Sequence, residues 1–320
     1  MLAEVRALVW FAGSGLKISR TGLTFLLETK MTKPKVLIQI DPDTQASTFD
    51  AVVAIDSGVD QLLTRSGVAI GDVEGLVHGA MFTRGPADLK STALFFGGSN
   101  VALSESLVQK AKQCFFGPMR VSLLADPNGS NTTAAAAVIC AERHVALEGQ
   151  VVTILGGTGP VGQRIAQIIR FAISDSGKAT TIRICSRKLA KAQAICDQIG
   201  STGSVKLIPI QASSKDEAIE AVKGAGVVFA AGAAGVELLP ADWGGATPAV
   251  AIDLNAVPPA GIAGVDVMAK AETVGETVCY GAIGVGGLKM KIHKRAIEML
   301  FESNEHVLET EAIYRLGKEI

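Results

Sequence analysis

The chain has 320 residues, 48% of them hydrophobic, with 35 glycines and a formal net charge of −1. That length suits two domains with sizeable cores, and the near-neutral charge leaves no electrostatic footprint for nucleic acid or an anionic membrane. Five dispersed cysteines without a C-x-x-C pair and four dispersed histidines point to reduced thiols in a cytoplasmic protein and to no metal site.

Residues 1–30 carry a short apolar run, Ala7 to Ala12, broken by Gly13 and Gly15. The run is too short to span a bilayer and lacks a cleavage pattern, so this stretch is taken as a non-native start or a loose tail. After Met31 the first strand is expected over 34–41, ended by Asp41-Pro42-Asp43. Residues 48–56 suit either a helix or a second strand, and 73–85 and 91–98 are expected as further strands and turns. A helix over 104–116 and a strand over 120–126 follow, closed by Pro127-Asn128-Gly129. The alanine-rich stretch 128–147 predicts a closely packed helix with Ser130, Asn131 and Thr132 at its cap, a strut between two domains. From 150 the pattern is strand, helix, strand: strands over 150–155, 180–188, 205–212, 226–232 and 249–255, and helices over 161–172 and 189–199. A long helical tail is expected over 288–320. Alternating strands and helices argue for an α/β protein with largely parallel sheets.

The stretch "LGGTGPVGQR" (155–164) contains Gly157-Thr158-Gly159-Pro160-Val161-Gly162, a full G-x-G-x-x-G between a strand and a helix. The first glycine allows a tight turn, Gly159 lets backbone approach a pyrophosphate, and Gly162 lets the helix pack on the sheet. A dinucleotide is the expected ligand. The acid that should grip a ribose is missing. Asp175 stands in the turn before the second strand, and that strand ends in Ser186-Arg187-Lys188. A hydroxyl and two cations suit a 2′-phosphate, which favours NADP, with NAD as second choice. Ala231, Gly232 and Asn255 follow later strands, at the carboxyl edge where open α/β sheets bind ligands.

With these residues in view, the sequence resembles the NAD(P)-dependent methylene-tetrahydromethanopterin dehydrogenases of methylotrophic bacteria. The stretches that carry the resemblance include "FDAVV", "FTRG" (82–85), "FFGPMRVS" (115–122), "DPNGSNTTAAA" (126–136), "GGTGPVG", "SRKLAKAQ" (186–193), "AAGAAGVELLP" (230–240), "NAVPPAGIAGVD" (255–266), "GAIGVGGLKMKIH" (281–293) and "LFES". They run in order from about Lys33 to the C-terminus. The resemblance implies a substrate domain (31–128 with 302–320), a Rossmann NADP domain (129–301) and a C-terminal helix returning to the first domain. It implies oxidation of methylene-tetrahydromethanopterin, with methylene-tetrahydrofolate as an additional substrate, by direct hydride transfer in a cytoplasmic homo-oligomer. Lys289 matches a lysine that faces the pterin, and is expected to position the substrate or act electrostatically. Thr83, Arg84, Asn128, Ser130, Asn131 and Thr132 match motifs expected to border the cleft. Tyr314-x-x-x-Lys318 imitates the pair of short-chain dehydrogenases but stands at the wrong end of the chain, so Tyr314 is read as packing. Two rival readings stay open on the residues: another dehydrogenase of this architecture, acting on an amino acid or a quinone, and a non-catalytic NADP sensor.

Overall fold

A computed structural model describes residues 33–173 and 177–320. The expectations for residues 1–30 and for Asp175 lie outside the described residues.

The chain begins with β1 (Val36–Ile40), α1 (Thr48–Asp56), β2 (Gln61–Arg65), α2 (Val73–Phe82), β3 (Thr92–Phe96), α3 (Val101–Gln113), β4 (Ser122–Ala125) and α4 (Ser130–Glu142). It continues through β5 (Val151–Leu155), α5 (Pro160–Ala172), β6 (Thr180–Ser186), α6 (Leu189–Ile199), β7 (Val205–Gln211), α7 (Lys215–Val222), β8 (Val227–Ala230) and β9 (Val250–Asp253). It closes with β10 (Lys270–Val274), β11 (Thr277–Tyr280), α8 (Ala282–Met299), β12 (Val307–Leu308) and α9 (Thr310–Lys318). Among the described residues these strands form a five-stranded sheet, β12-β4-β3-β1-β2, and a seven-stranded sheet, β10-β11-β9-β8-β5-β6-β7. The first is parallel throughout; in the second only the β10–β11 pair is antiparallel. This is the expected α/β class.

Residues 73–82 are helical, where a strand was expected. Their β-prone composition hides a spacing of 3.6: Val73, Val77, Ala80 and Met81 form the buried face. The tail is likewise no single helix. Helix α8 starts earlier, at Ala282, and a break after Met299 lets β12 pair beside β4 in the first sheet.

Helix α4 joins the two sheets. It is buried nearly all round, because its alanines let α5, α8 and α9 approach from different sides. A Cβ on Gly317 of α9 would sit 2.7 Å from Ile139 of α4 and 2.8 Å from Ile292 of α8, so that close approach needs glycine. Tyr314 and Lys318 both bond Glu142 at the end of α4, at 2.7 and 2.9 Å. They clasp two helices together.

Candidate active site

Each sheet contains a point where the chain leaves one strand to both sides. In the second sheet β5 lies between β6 and β8, and in the first β1 lies between β2 and β3. At such a switch point the loops beyond the carboxyl ends diverge and leave a crevice. Both crevices are occupied by residues with chemistry.

The β5/β8 crevice is a cavity of about 790 Å³. Its lining includes Thr158, Gly159, Pro160, Val161, Ser186, Arg187, Lys188, Ala231 and Gly232, which the sequence had singled out. Three glycines build it, and the left-handed position of the turn is not the one expected. The left-handed residue of the turn is Gly156 (φ 69°), and a Cβ there would lie 2.7 Å from the backbone of Gly232. Gly157 and Gly162 pack beneath the turn, since a Cβ on Gly162 would meet Gly157 Cα at 2.7 Å. Helix α5 starts at Pro160 behind Gly159 with no side-chain cap, so its first N–H groups remain available to an anion. Arg187 and Lys188 are exposed, and Lys191, three residues into α6, joins the same lining. The sequence reading passed over Lys191, although its i+3 spacing from Lys188 was a usable signal. A turn that excludes side chains, an uncapped helix start and three cations at the end of β6 fit a dinucleotide with a 2′-phosphate. Asn255 is not among the residues lining this cavity. It accepts from the N–H groups of Gly235 and Val257 and donates to the Pro259 carbonyl, so it braces the loop after β9.

The β1/β3 crevice is a smaller cavity, about 340 Å³, lined by Asp41, Asp43, Ser47, Phe49, Asp50, Gly98, Ser99, Asn128 and Lys289 among others. Lys289 lies two turns into α8, its Nζ 4.4 Å from the centre of the half-exposed Phe49 ring. Beneath it, one turn further along α8, His293 is fully buried. Its ring is stacked on Phe95 at 5.8 Å, and Nδ1 lies 3.9 Å from Asp126. Among the described residues neither ring nitrogen finds a hydrogen-bond partner, and burial pushes its pKa below the usual histidine value. Asp50 is pushed the other way, up to about 6. Burial is the main cause, the Ser47 hydroxyl opposes it, Asp126 adds to it, Lys289 opposes it and Asp41 adds again. Sequence reasoning missed Asp41, Asp50, Asp126 and His293. For His293 the i+4 spacing from Lys289 was the available signal.

The remaining candidates separate clearly. Asn128 is left-handed (φ 52°) and lines both cavities, so it stands where they meet. Ser130, Asn131 and Thr132 are buried and satisfied. Ser130 donates to Pro127, Asn131 donates to Ala125, and Thr132 donates to Asp126 at 2.6 Å. Asp126 in turn accepts from the backbone N–H groups of Asn131 and Thr132 and so caps α4 from outside. These three residues shape the cleft without facing it. Thr83 and Arg84 lie at the opposite edge of the first sheet. Arg84 donates to the carbonyls of Pro34 and Ser91, at the amino-terminal ends of β1 and β3, at 3.0 and 2.8 Å. Their motif is structural.

Among the described residues no three His, Cys, Asp or Glu side chains are grouped to hold a metal ion, and no helix is long and apolar enough to cross a membrane.

Comparison with known proteins adds a chemical identity to this geometry. Residues 48–128 match the family model described as methylene-tetrahydromethanopterin dehydrogenase, N-terminal. The bifunctional protein MdtA of Methylorubrum extorquens is 41% identical over 290 residues, which cover 89% of this chain and 99% of that protein. The NAD(P)-dependent methylenetetrahydromethanopterin dehydrogenase of the same organism is 32% identical over 296 residues, covering 89% and 98%. Among solved structures, a shikimate 5-dehydrogenase of Listeria monocytogenes in complex with shikimate and NAD superposes with a TM-score of 0.48 at 15% identity. The match covers 88% of this chain and 96% of that one.

Proposed function

This chain belongs to the NAD(P)-dependent methylene-tetrahydromethanopterin dehydrogenase family, and we propose that its two crevices hold the two reactants of that reaction. It is an oxidoreductase that converts the methylene form of the pterin to the methenyl form. The first sheet with β12 is the pterin half, and the second sheet is the cofactor half. The observation that carries the reading is Asn128, which lines both cavities and so places one reactant's pocket against the other's.

In the cofactor half, the Gly156–Gly159 turn and the start of α5 receive the pyrophosphate. Ser186, Arg187, Lys188 and Lys191 receive the 2′-phosphate, which favours NADP over NAD. When bound, the nicotinamide supplies the hydride acceptor. In the pterin half, Lys289 and Phe49 orient the ring system. The methenyl product is a cation shared by two nitrogens, so loss of the hydride requires no proton transfer. Asp41, Asp43, Asp50 and Asp126 outnumber Lys289 in and beneath the cleft, and their field favours positive charge developing there. The protein's contribution is therefore alignment and electrostatics. The five cysteines are unpaired and buried, which supports a reducing, cytoplasmic setting. A homo-oligomeric assembly belongs to the same proposal, and light scattering of the purified chain tests it.

The deciding experiment mixes the protein with NADP and methylene-tetrahydromethanopterin. Methenyl-pterin and NADPH should appear one to one. Binding of NADP without turnover would instead favour a sensor, and turnover only with an amino acid or a quinone would favour another dehydrogenase. Tetrahydrofolate substrates run in parallel rank the two carriers.

A further inference from the structure

Three carboxylates line the pterin crevice and a fourth, Asp126, is buried near its floor; three of the four already have partners. Asp41 accepts from the N–H groups of Asp43 and Ser47, at 2.9 and 3.2 Å. Asp43 accepts from both the N–H and the hydroxyl of Ser99, at 2.8 and 3.0 Å. Asp126 accepts from two N–H groups and from the Thr132 hydroxyl. Asp50 differs. It lines the crevice while only 8% exposed, and its own N–H donates to the Ser47 hydroxyl at 3.2 Å, while the carboxylate faces the cavity side. A Cβ on Gly97 would lie 3.2 Å from Phe95 Cε1, 3.4 Å from Asp50 Oδ2 and 3.5 Å from Asp41 Oδ2, so the Asp41 and Asp50 carboxylates both lie against that glycine.

We propose that Asp50 is the specificity-determining residue that takes the amide–amine edge of the pterin, its ring N3–H and 2-amino group, in a paired hydrogen bond. This rests on the pterin reading above. That edge presents two adjacent donors and no acceptor between them, and an ionised carboxylate presents two acceptors at matching spacing. A nearly buried carboxylate is poorly satisfied until such an edge arrives. The neighbouring Phe49 offers an exposed apolar face in the same crevice for the flat ring.

The charge state gives the proposal a signature. Burial, with Asp126 and Asp41 adding to it, holds the Asp50 carboxyl at about 6, while Ser47 and Lys289 pull it down. His293, the other titratable group on the facing side of α8, is kept neutral by burial. Above pH 6 Asp50 accepts twice, and below it a proton removes one acceptor. Pterin affinity therefore falls as pH drops through about 6.

The test is Asp50→Asn, titrated with methenyl-tetrahydromethanopterin in the absence of NADP and assayed for turnover separately. An amide offers one acceptor and one opposing donor, so the pterin Kd should rise roughly 10- to 150-fold, the range for hydrogen bonds to a charged group. NADP affinity should not move, and the limb near pH 6 in pterin affinity should vanish. The melting temperature gives a second readout. A carboxyl whose pKa is raised on folding stabilises the fold below its unfolded value near 4 and loses that contribution as pH rises through about 6. The amide variant should therefore melt higher than wild type at pH 8, with the gap closing below pH 4. Ser47→Ala, which removes a group that lowers the Asp50 pKa, should shift the limb to higher pH without abolishing it. Unchanged pterin affinity, a turnover loss at unchanged Kd, or a limb that persists in Asp50→Asn would overturn the proposal. A wild-type protein that neither binds the pterin nor reduces NADP would overturn the functional reading itself.

Discussion

The two switch points of this protein are built from different materials. The cofactor crevice is made by backbone: Gly156 is left-handed, its Cα approaches Gly232, and Gly162 lies against Gly157. The pterin crevice is made by side chains from separate segments: Asp41 after β1, Asp50 on α1, Asp126 after β4, and Lys289 and His293 on α8. On the proposed assignment the first takes a pyrophosphate and the second a single ring system. Substitutions in the two crevices should therefore fail in different ways.

The largest effect is expected from Gly156→Ala. Its φ of 69° and the 2.7 Å approach to Gly232 leave no room for a methyl group. A stability loss on the order of 2–4 kcal/mol should accompany loss of NADP binding. Pterin binding, titrated at a temperature where the variant stays folded, should persist. Equal loss of both ligands would show that the crevices are not separable.

Lys289→Ala addresses the other side. Pterin turnover efficiency should drop about ten- to a thousandfold, the span for lost alignment or electrostatic stabilisation. NADP affinity by fluorescence titration should hardly change. No limb of the pH–rate profile should disappear with the lysine, because it moves no proton. A limb that the variant abolishes would make Lys289 an acid–base residue.

Smaller effects sharpen the contrast. Arg187→Ala should raise the KM for NADP several-fold and leave NAD nearly unaffected, since its partner is the 2′-phosphate. Equal effects on both cofactors would remove that assignment. Tyr314→Phe deletes the 2.7 Å bond to Glu142 far from either crevice. It should cost about 1 kcal/mol of stability and leave kinetics unchanged. A collapse of activity would revive Tyr314 and Lys318 as a catalytic pair.

The same contrast explains what was legible in the sequence. The glycine turn announces itself because backbone geometry demands glycine at fixed spacing, and Ser186-Arg187-Lys188 follow at a fixed strand end. The pterin crevice has no such local signature, because tertiary contact brings Asp50 and Lys289 together across 239 positions of sequence. At Thr83 and Arg84 the matched stretch ties strand ends through the Arg84 guanidinium. At Ser130–Thr132 the polar groups satisfy the cap of α4. Elements were lost for local reasons. The edge strands β2 and β10 are largely exposed and lack an alternating apolar face. Helix α2 was hidden by β-prone composition. Helix α7 carried a capping box, Ser214 with Glu217, that should have revealed it.

On the proposed reading a hydride passes directly from the pterin crevice to the cofactor crevice, past Asn128 and without a proton relay. Methylene-tetrahydromethanopterin carrying deuterium on the transferring position of the methylene carbon tests it most directly. Mass spectrometry of the reduced cofactor formed in ordinary water should find the deuterium transferred without dilution. Solvent hydrogen in the transferred position would contradict the account.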